Sequence, residues 1–465
     1  MPANDPQKRP AALPELAGST AAHPAGPSLS AARSAAGAEP DGRPAKAALS
    51  SAEPARSQPL TVMAKADQAS PEEPAASAAD GLTGSGVSGS GVSGSGANQV
   101  TVARGNSARL APEVFRLPVA RLREGYYSDA YFVYTKRLLE DSGQHPRVHM
   151  QVFQKQHTRL GGIDEALAIL KLCSGRYGPN GDWVPGWDEL TVHALHEGDT
   201  VSPWETVMTI DGDYSLFSHL ETVYLGTLAR RSLVMRNVSA VVAAARGKQI
   251  LYFPARHDHW LVQTGDGWAA HVAGAIGVST DAQASWWGGR GVGTVPHGLI
   301  AAYGGDTVKA AVAFADRFHT EMNITVLVDF ENDCVRTAVD VARALGPKLW
   351  GVRIDTSEML VDRSLIEMMG DFDPRGVNPK LVENVRKGLD QAGFPDVKIV
   401  VSGGFTVERI GLFEELGVPV DAYGVGSSLI RGQNDFTADV VELDGQLCAK
   451  AGRQLRKSNR LERVT

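Results

Sequence analysis

The stretch VKIVVSGGFTVERIGLFEELGVPVDAYGVGSS, Val397 to Ser428, carries the reading of the fold. Two short β-branched runs each end in a glycine-rich turn, SGGF at Ser402–Phe405 and GVGSS at Gly424–Ser428, with an amphipathic segment between them. Apolar strands that alternate with amphipathic helices point to parallel βαβ units with right-handed crossovers. Upstream the same rhythm recurs in ILYFPAR, VGTVPH, ITVLVDF and LWGVRID, with helices such as TVKAAVAFADRFH (Thr307–His319) between the runs. The expectation is an α/β fold, either an open doubly wound sheet or a TIM-like α/β barrel.

Ahead of this region the pattern changes. REGYYSDAYFVYTKRLLE places Tyr131, Tyr134, Leu138 and Leu139 at helical spacing behind Ser128 and Asp129, which predicts a helix. VHMQVFQKQ reads as a strand, IDEALAILKL as an amphipathic helix, and TVHALHEGDTVSP as a strand that turns at Glu197-Gly198-Asp199. Together they predict a small α+β domain. The segment Leu216–Arg246 supplies one or two long helices, rich in Ala and Leu. The first quarter of the chain, rich in Ala, Pro, Ser and Gly and ending in GSGVSGSGVSGSG (Gly84–Gly96), has too little apolar surface to offset its ordering entropy. A disordered tail is expected there. Pro10, Pro14 and Glu15 interrupt the region where a secretory signal would need an apolar run.

The balance of 46 Lys and Arg against 53 Asp and Glu, net −7, gives no broad cationic face for nucleic acid. No run of about 18 apolar residues marks a membrane span. Three scattered cysteines form neither a zinc motif nor a disulfide framework, which fits a reducing cytosol.

Polar residues stand at the C-terminal ends of the apolar runs: Arg256, His297, Asp329, Arg353, Asp355, Ser402, Gly403, Gly404, Gly426 and Ser427. On α/β barrels that edge carries the active site. Glycines in the two late turns let backbone amides approach an anion, so a phosphate site is expected there, with tight turns as the bland alternative. Arg353 and Asp355 lie two residues apart on a strand and share a face; they suit a phosphate clamp and a Mg²⁺ or ribose ligand, or else form a simple ion pair. His297 suits a nucleophile or base near neutrality, and equally a packed or capping residue. Phe253, with Tyr126 and Tyr127, offers flat rings that could stack on a heteroaromatic substrate or serve as core. Arg256, His257 and His259 add positive charge beside Phe253.

With these residues in place, the segments REGYYSDAYF, HALHEGDTVSPWETVMTIDGDYSLFSHLETVYLG, FPARHDH, GVGTVPH, RIDTSE, VSGG and YGVGSS, in order from about Glu113 to Arg431, resemble the nicotinate phosphoribosyltransferase family of type II phosphoribosyltransferases. The resemblance implies an open-faced α+β sandwich domain beside an irregular α/β barrel, and a homodimer with the site between subunits. It implies an ATP-dependent ligase of NAD biosynthesis that joins nicotinate to phosphoribosyl pyrophosphate with Mg²⁺ as cofactor and ATP as co-substrate. In that reading Tyr127 of the neighbouring subunit and Phe253 sandwich the ring, and Arg256 binds the ribose phosphate or pyrophosphate. His297 is the histidine phosphorylated by ATP, Arg353 and Asp355 contact the phosphoribosyl group, Gly403, Gly404, Gly426 and Ser427 hold its 5′-phosphate, and Ser402 is a further substrate-binding residue. Pro254 and His257 depart from the family's glycine and second arginine. Ser279 and Thr280 fall where nicotinamide-using relatives are expected to carry an aspartate, which favours nicotinate.

The implied organisation is a tail over 1–111, a sandwich domain over 112–212, a barrel over 213–430 and a C-terminal extension over 431–465. A nicotinamide-using sister enzyme and a non-catalytic phosphosugar or nucleotide binder are the alternatives. Quinolinate phosphoribosyltransferase lacks the phosphorylated histidine, and a barrel isomerase or aldolase would need a strand-end Lys or Glu.

Overall fold

The computed structural model describes residues 108–370 and 372–465. The tail expected over 1–111 lies outside the described residues as far as 107. Its last residues are anchored: Arg109 pairs with Asp164 at 2.9 Å, and the Leu110 amide donates to the same carboxylate at 3.0 Å.

The chain continues through α1 (Val119–Arg123), α2 (Ala130–Asp141), β1 (Arg147–Gln154), β2 (Thr158–Arg159), α3 (Ile163–Cys173), β3 (Gly175–Tyr177), β4 (Trp183–Pro185), β5 (Thr191–Ala194), β6 (Thr200–Val201) and β7 (Thr206–Asp213). The expected turn at Glu197 has a structural task. Its carboxylate accepts from the amides of Gly162 (2.7 Å) and Ile163 (3.0 Å), and so satisfies the first turn of α3. The long segment that follows forms one helix, α4 (Glu221–Ala244). Tyr224 and Leu228 near its start belong to the first core, and Val234, Met235, Val238 and Val241 to the second. One helix therefore joins the two halves.

The second half runs β8 (Gln249–Tyr252), α5 (Gln263–Val272), β9 (Gly277–Val278), α6 (Asp281–Ala284), α7 (His297–Ala302), α8 (Thr307–Phe318), β10 (Ile324–Leu327), α9 (Cys334–Leu345), β11 (Leu349–Ile354), α10 (Pro379–Gln391), β12 (Lys398–Val401), α11 (Val407–Glu415) and β13 (Ala422–Val425). The strands form one parallel sheet in the order β10-β11-β12-β13-β8-β9. Val326, Val352, Ile399 and Val401 are fully buried, as strands covered on both faces require. Truncation of any one to alanine costs about 2–4 kcal/mol.

The expected TIM-like barrel needs correction. The fold is mixed α/β with a curled six-stranded parallel sheet, and the regular ladder does not close into an eight-stranded ring. VGTVPH, expected to be a full strand, makes only two points of pairing. Val292 donates to Val278 O (2.7 Å) beside β9, and Val295 donates to Thr325 O (2.8 Å) and bridges Val326 in β10. Pro296 has no amide to carry the ladder further.

The C-terminal extension also differs from expectation. β14 (Phe436–Leu443), β15 (Gln446–Leu447) and β16 (Glu462–Arg463) return to the first sheet, whose order is β15-β14-β1-β7-β5-β16. All its pairings are antiparallel. The sandwich layer is therefore built from both sides of the α/β half.

Candidate active site at the strand-end rim

His297 opens α7 directly after the Val295 bridge, and Asp329 lies two residues beyond β10. That short connection brings His297 Nε2 to 3.0 Å from Asp329 Oδ1. The carboxylate is 7% exposed and the imidazole 41%. The hydrogen bond to Asp329 raises the imidazole pKa above its ordinary value against the opposing effect of burial; Asp355 also raises it, and Arg353 lowers it. The four charged groups thus share one electrostatic neighbourhood.

Arg353 and Asp355 do face the same side of β11, as their alternation predicts. Arg353 Nε donates to Ser402 Oγ at 2.7 Å, and Ser402 Oγ donates to Asp355 Oδ1 at 2.6 Å. The direct approach of Arg353 Nη2 to Asp355 Oδ1 is longer, 3.5 Å. Ser402, at the end of β12, is thus the bridge of the pair. The guanidinium also lies 5.1 Å from the Phe253 ring centroid, where a cation meets a ring face, and Nη1 is 3.5 Å from Thr294 Oγ1.

The two glycine turns stand beside this group. Gly403 and Gly404 have φ of +88° and +68°, which side chains rarely adopt. Arg409 Nη1 donates to the Gly403 carbonyl at 2.8 Å, whereas neither glycine amide donates a hydrogen bond among the described residues. Ser428 Oγ donates to Phe405 O at 2.9 Å and ties the two turns together. A Cβ on Gly424 would stand 2.9 Å from the Phe253 ring, and one on Gly426 2.9 Å from His257 Cε1. Glycine at these positions lets Phe253 and His257 lie against the end of β13. Burial, with Arg256 and Arg431 nearby, lowers the His257 pKa. A basic cluster therefore borders the second turn, where Ser427 begins a short 3-10 turn.

Arg256 is exposed in the 3-10 turn Ala255–His257. Asp258, two residues on, pairs with Arg230 at 2.7 Å, and Arg230 also holds Asp266 at 2.6 Å; this anchors the loop to α4. Tyr127 is half exposed ahead of α2 and packs edge-on against Tyr126 at 5.0 Å. Within the chain it makes no ring contact with Phe253 among the described residues. The Ser279 hydroxyl donates to Gln283 Oε1 at 3.0 Å, and Asp281 accepts from the Gly291 amide at 2.8 Å. The structure thus joins His297, Arg353, Asp355, Ser402, Phe253 and the glycine turns; Ser279 directly follows Val278, the register partner of Tyr252, and so stands at the end of the strand next to that of Phe253.

Sequence reasoning noted Asp329 as a strand-end residue but gave it no role. It singled out neither Thr294 nor Arg409, and it read Gly424 only as the start of a phosphate turn, not as the seat of the Phe253 ring. The strand-end position was the available signal for Asp329, and a glycine inside an otherwise apolar run was the signal for Gly424.

Among the described residues no three His, Cys, Asp or Glu side chains are grouped to hold a metal ion, and no helix is long and apolar enough to cross a membrane. A Mg²⁺ ion that travels with a diphosphate needs only one or two protein carboxylates, the rest of its shell being phosphate oxygens and water. Asp355 and Asp329 fit that requirement.

The chain is similar to known proteins in sequence and in fold. Residues 129–232 match the family model described as quinolinate phosphoribosyl transferase, N-terminal domain. Nicotinate phosphoribosyltransferase pncB1 of Mycobacterium tuberculosis is 29% identical over 259 residues, 54% of this chain and 53% of the relative. The chain spans about half the length of the curated relatives it matches. Among solved structures, nicotinate-nucleotide pyrophosphorylase from Pyrococcus furiosus is 31% identical with a TM-score of 0.61, over 75% of this chain and 85% of that one. Human nicotinic acid phosphoribosyltransferase, at 17% identity and a TM-score of 0.55 over 70% and 77% of the two chains, shares the fold. A curled parallel sheet with glycine turns at its rim, fused to an antiparallel layer, is the architecture of a type II phosphoribosyltransferase. The chain belongs to the nicotinate phosphoribosyltransferase family.

Proposed function

We propose that this chain forms nicotinate mononucleotide and diphosphate from nicotinate and phosphoribosyl pyrophosphate, with ATP hydrolysed alongside. The observation that carries the reading is the convergence of the His297–Asp329 pair and the Arg353–Ser402–Asp355 bridge on one rim beside the two glycine turns.

The unused amides of Gly403 and Gly404 and the basic group of Arg256, His257 and Arg431 suit the two phosphorylated ends of the sugar. Asp355 faces the ribose, and Phe253 offers one face of a ring sandwich that Tyr127 of a second copy completes in a homodimer. As diphosphate leaves C1 of the ribose, positive charge grows on the ring and the pyridine nitrogen captures that carbon. Catalysis of this kind rests on positioning and electrostatic stabilisation. Magnesium bound with the diphosphate, held through Asp355 and Asp329, would offset the negative charge of the leaving group. Arg353 and Asp355 keep the phosphoribosyl group in line with the stacked ring.

His297 attacks the γ-phosphorus of ATP, ADP leaves, and the phosphoryl group stays on the imidazole until water removes it. Its charge beside Arg353 would order the site for the diphosphate. Ser279 and Thr280 stand where an amide-using relative would be expected to carry an aspartate, and the Asp281 carboxylate beside them accepts through Oδ1 from the Gly291 amide; this favours the acid over the amide. A soluble cytosolic enzyme fits the composition.

The deciding experiment incubates the purified chain with nicotinate or nicotinamide, phosphoribosyl pyrophosphate and Mg²⁺, with and without ATP, and identifies the product. Formation of nicotinate mononucleotide, stimulated by ATP, is the expected result. Absence of any mononucleotide refutes the reading.

A further inference from the structure

Arg409, in the first turn of α11, reaches back to the SGGF turn from which its helix starts. Nη1 donates to the Gly403 carbonyl at 2.8 Å and, more weakly, to the Gly404 carbonyl at 3.4 Å. Nη2 donates to the carbonyl of Val377, a buried residue beside Asn378, the cap of α10. One guanidinium therefore fastens the β12–α11 turn to the loop between β11 and α10. It lies 4.5 Å from the centroid of the Phe405 ring, which is buried and packs edge-on against Phe413. A planar fork on a fixed ring face has little freedom to swing.

The direction of these bonds matters for the other side of the turn. In a trans peptide the C=O and the N–H that follows it point opposite ways. With the carbonyls of Gly403 and Gly404 drawn onto Arg409, the amides of Gly404 and Phe405 are turned away from it. None of the amides of Gly403, Gly404 and Phe405 donates a hydrogen bond among the described residues.

Charge points to the same role. All three hydrogen bonds of the Arg409 side chain go to neutral carbonyls, and among the described residues it makes no ion pair. A neutral glutamine could donate to such carbonyls without a half-buried charge, so the arginine brings a cation that the clamp alone does not need. The Asp355 carboxylate is close by, since a Cβ on Gly403 would stand 3.5 Å from its Oδ1. An anion seated on the turn meets that negative charge, and an unneutralised guanidinium behind the turn offsets it.

We propose that Arg409 is a positioning residue for the 5′-phosphate: it holds the SGGF turn so that its free amides face the anion, and its charge balances Asp355. The inference rests on the phosphoribosyl reading of the site. Arg409 acts through the turn and does not touch the phosphate.

Calorimetric titration of the full chain with ribose 5-phosphate, with D-ribose as control, reads the turn without turnover. Wild type binds ribose 5-phosphate saturably and ribose far more weakly. Arg409→Met weakens ribose 5-phosphate at least about tenfold, and Arg409→Lys, which keeps the charge without the fork, weakens it about threefold or more. In steady state Arg409→Met raises KM for phosphoribosyl pyrophosphate about tenfold and leaves KM for nicotinate within about twofold. A merely damaged fold lowers the active fraction and moves neither KM. Should Arg409→Met lose its cooperative melt, Arg409→Lys decides on the same readouts. The assignment is overturned if wild type does not bind ribose 5-phosphate, if variants that melt cooperatively bind it as tightly as wild type, or if the two KM values rise together. A chain that binds ribose 5-phosphate through Arg409 yet forms no mononucleotide refutes the proposed reaction and leaves this role standing; mononucleotide formation with Arg409-independent binding does the reverse.

Discussion

Nε2 of His297 stands 3.0 Å from Oδ1 of Asp329, a partner that can only accept when ionised, so the imidazole proton is held on Nε2 and the reactive lone pair falls to Nδ1. Asp329→Asn should slow phosphoryl transfer to His297 about a hundredfold, within the range typical of a lost acid–base partner. Incorporation of acid-labile phosphate from labelled ATP measures it, and phosphorus NMR should place the group on Nδ1.

The same pair sets a pH dependence. The folded-state pKa of His297 is raised, with the Asp329 hydrogen bond as the largest favourable cause, so phosphorylation should climb with pH and level off only above that raised value. In D329N the rise should shift to lower pH. For stability the sign is opposite: the contribution of the pair is complete below the ordinary imidazole pKa and is lost as pH rises through the raised one. Denaturant unfolding on either side of neutrality, wild type against D329N, tests this.

Ser402 bridges groups that are otherwise 3.5 Å apart. Ser402→Ala should raise KM for phosphoribosyl pyrophosphate about tenfold, with a stability loss of about 1–2 kcal/mol, because two charged partners lose a buried hydroxyl. An unchanged KM in steady-state kinetics would count against the bridge.

Gly424→Ala puts a methyl 2.9 Å from the Phe253 ring. The ring must turn, and Arg353 on its face with it. We expect KM for nicotinate to rise at least about tenfold, since small misplacements of a stacked substrate are costly. The thermal midpoint should change little.

A chain ended at Arg431 should not fold. It would lack β14, whose Phe436 and Val441 are buried and which pairs with β1 along its length. Loss of a cooperative melt in circular dichroism is the expected result.

Much of the second half was legible because parallel strands buried on both faces read as β-branched runs, and because turn glycines and polar strand ends follow them. Arg353, Asp355 and Ser402 could be found from period and position alone. Residues 292–297 looked like a strand by composition, but Pro296 stops the ladder after one bridge, so the closed barrel did not follow. β14 escaped because FTADVVEL carries no mark of its distant partner: its register with β1 is set by contacts almost three hundred residues apart in the chain. The role of Asp329 was hidden for a similar reason. A carboxylate at a strand end is common, and only the fold puts it against an imidazole 32 residues earlier.

Both borders of the antiparallel layer are covered by strands that follow the α/β half in the chain: β14 covers β1 on one side and β16 covers β5 on the other. During synthesis, β1, β7 and β5 leave the ribosome long before those partners exist. Until β14 and β16 emerge, the nascent layer presents two open edges able to pair with other chains, the hazard that unfinished sheets face in crowded cells. Vectorial synthesis therefore brings out the strands of the α/β half before the amino-terminal layer can be completed by β14 and β16.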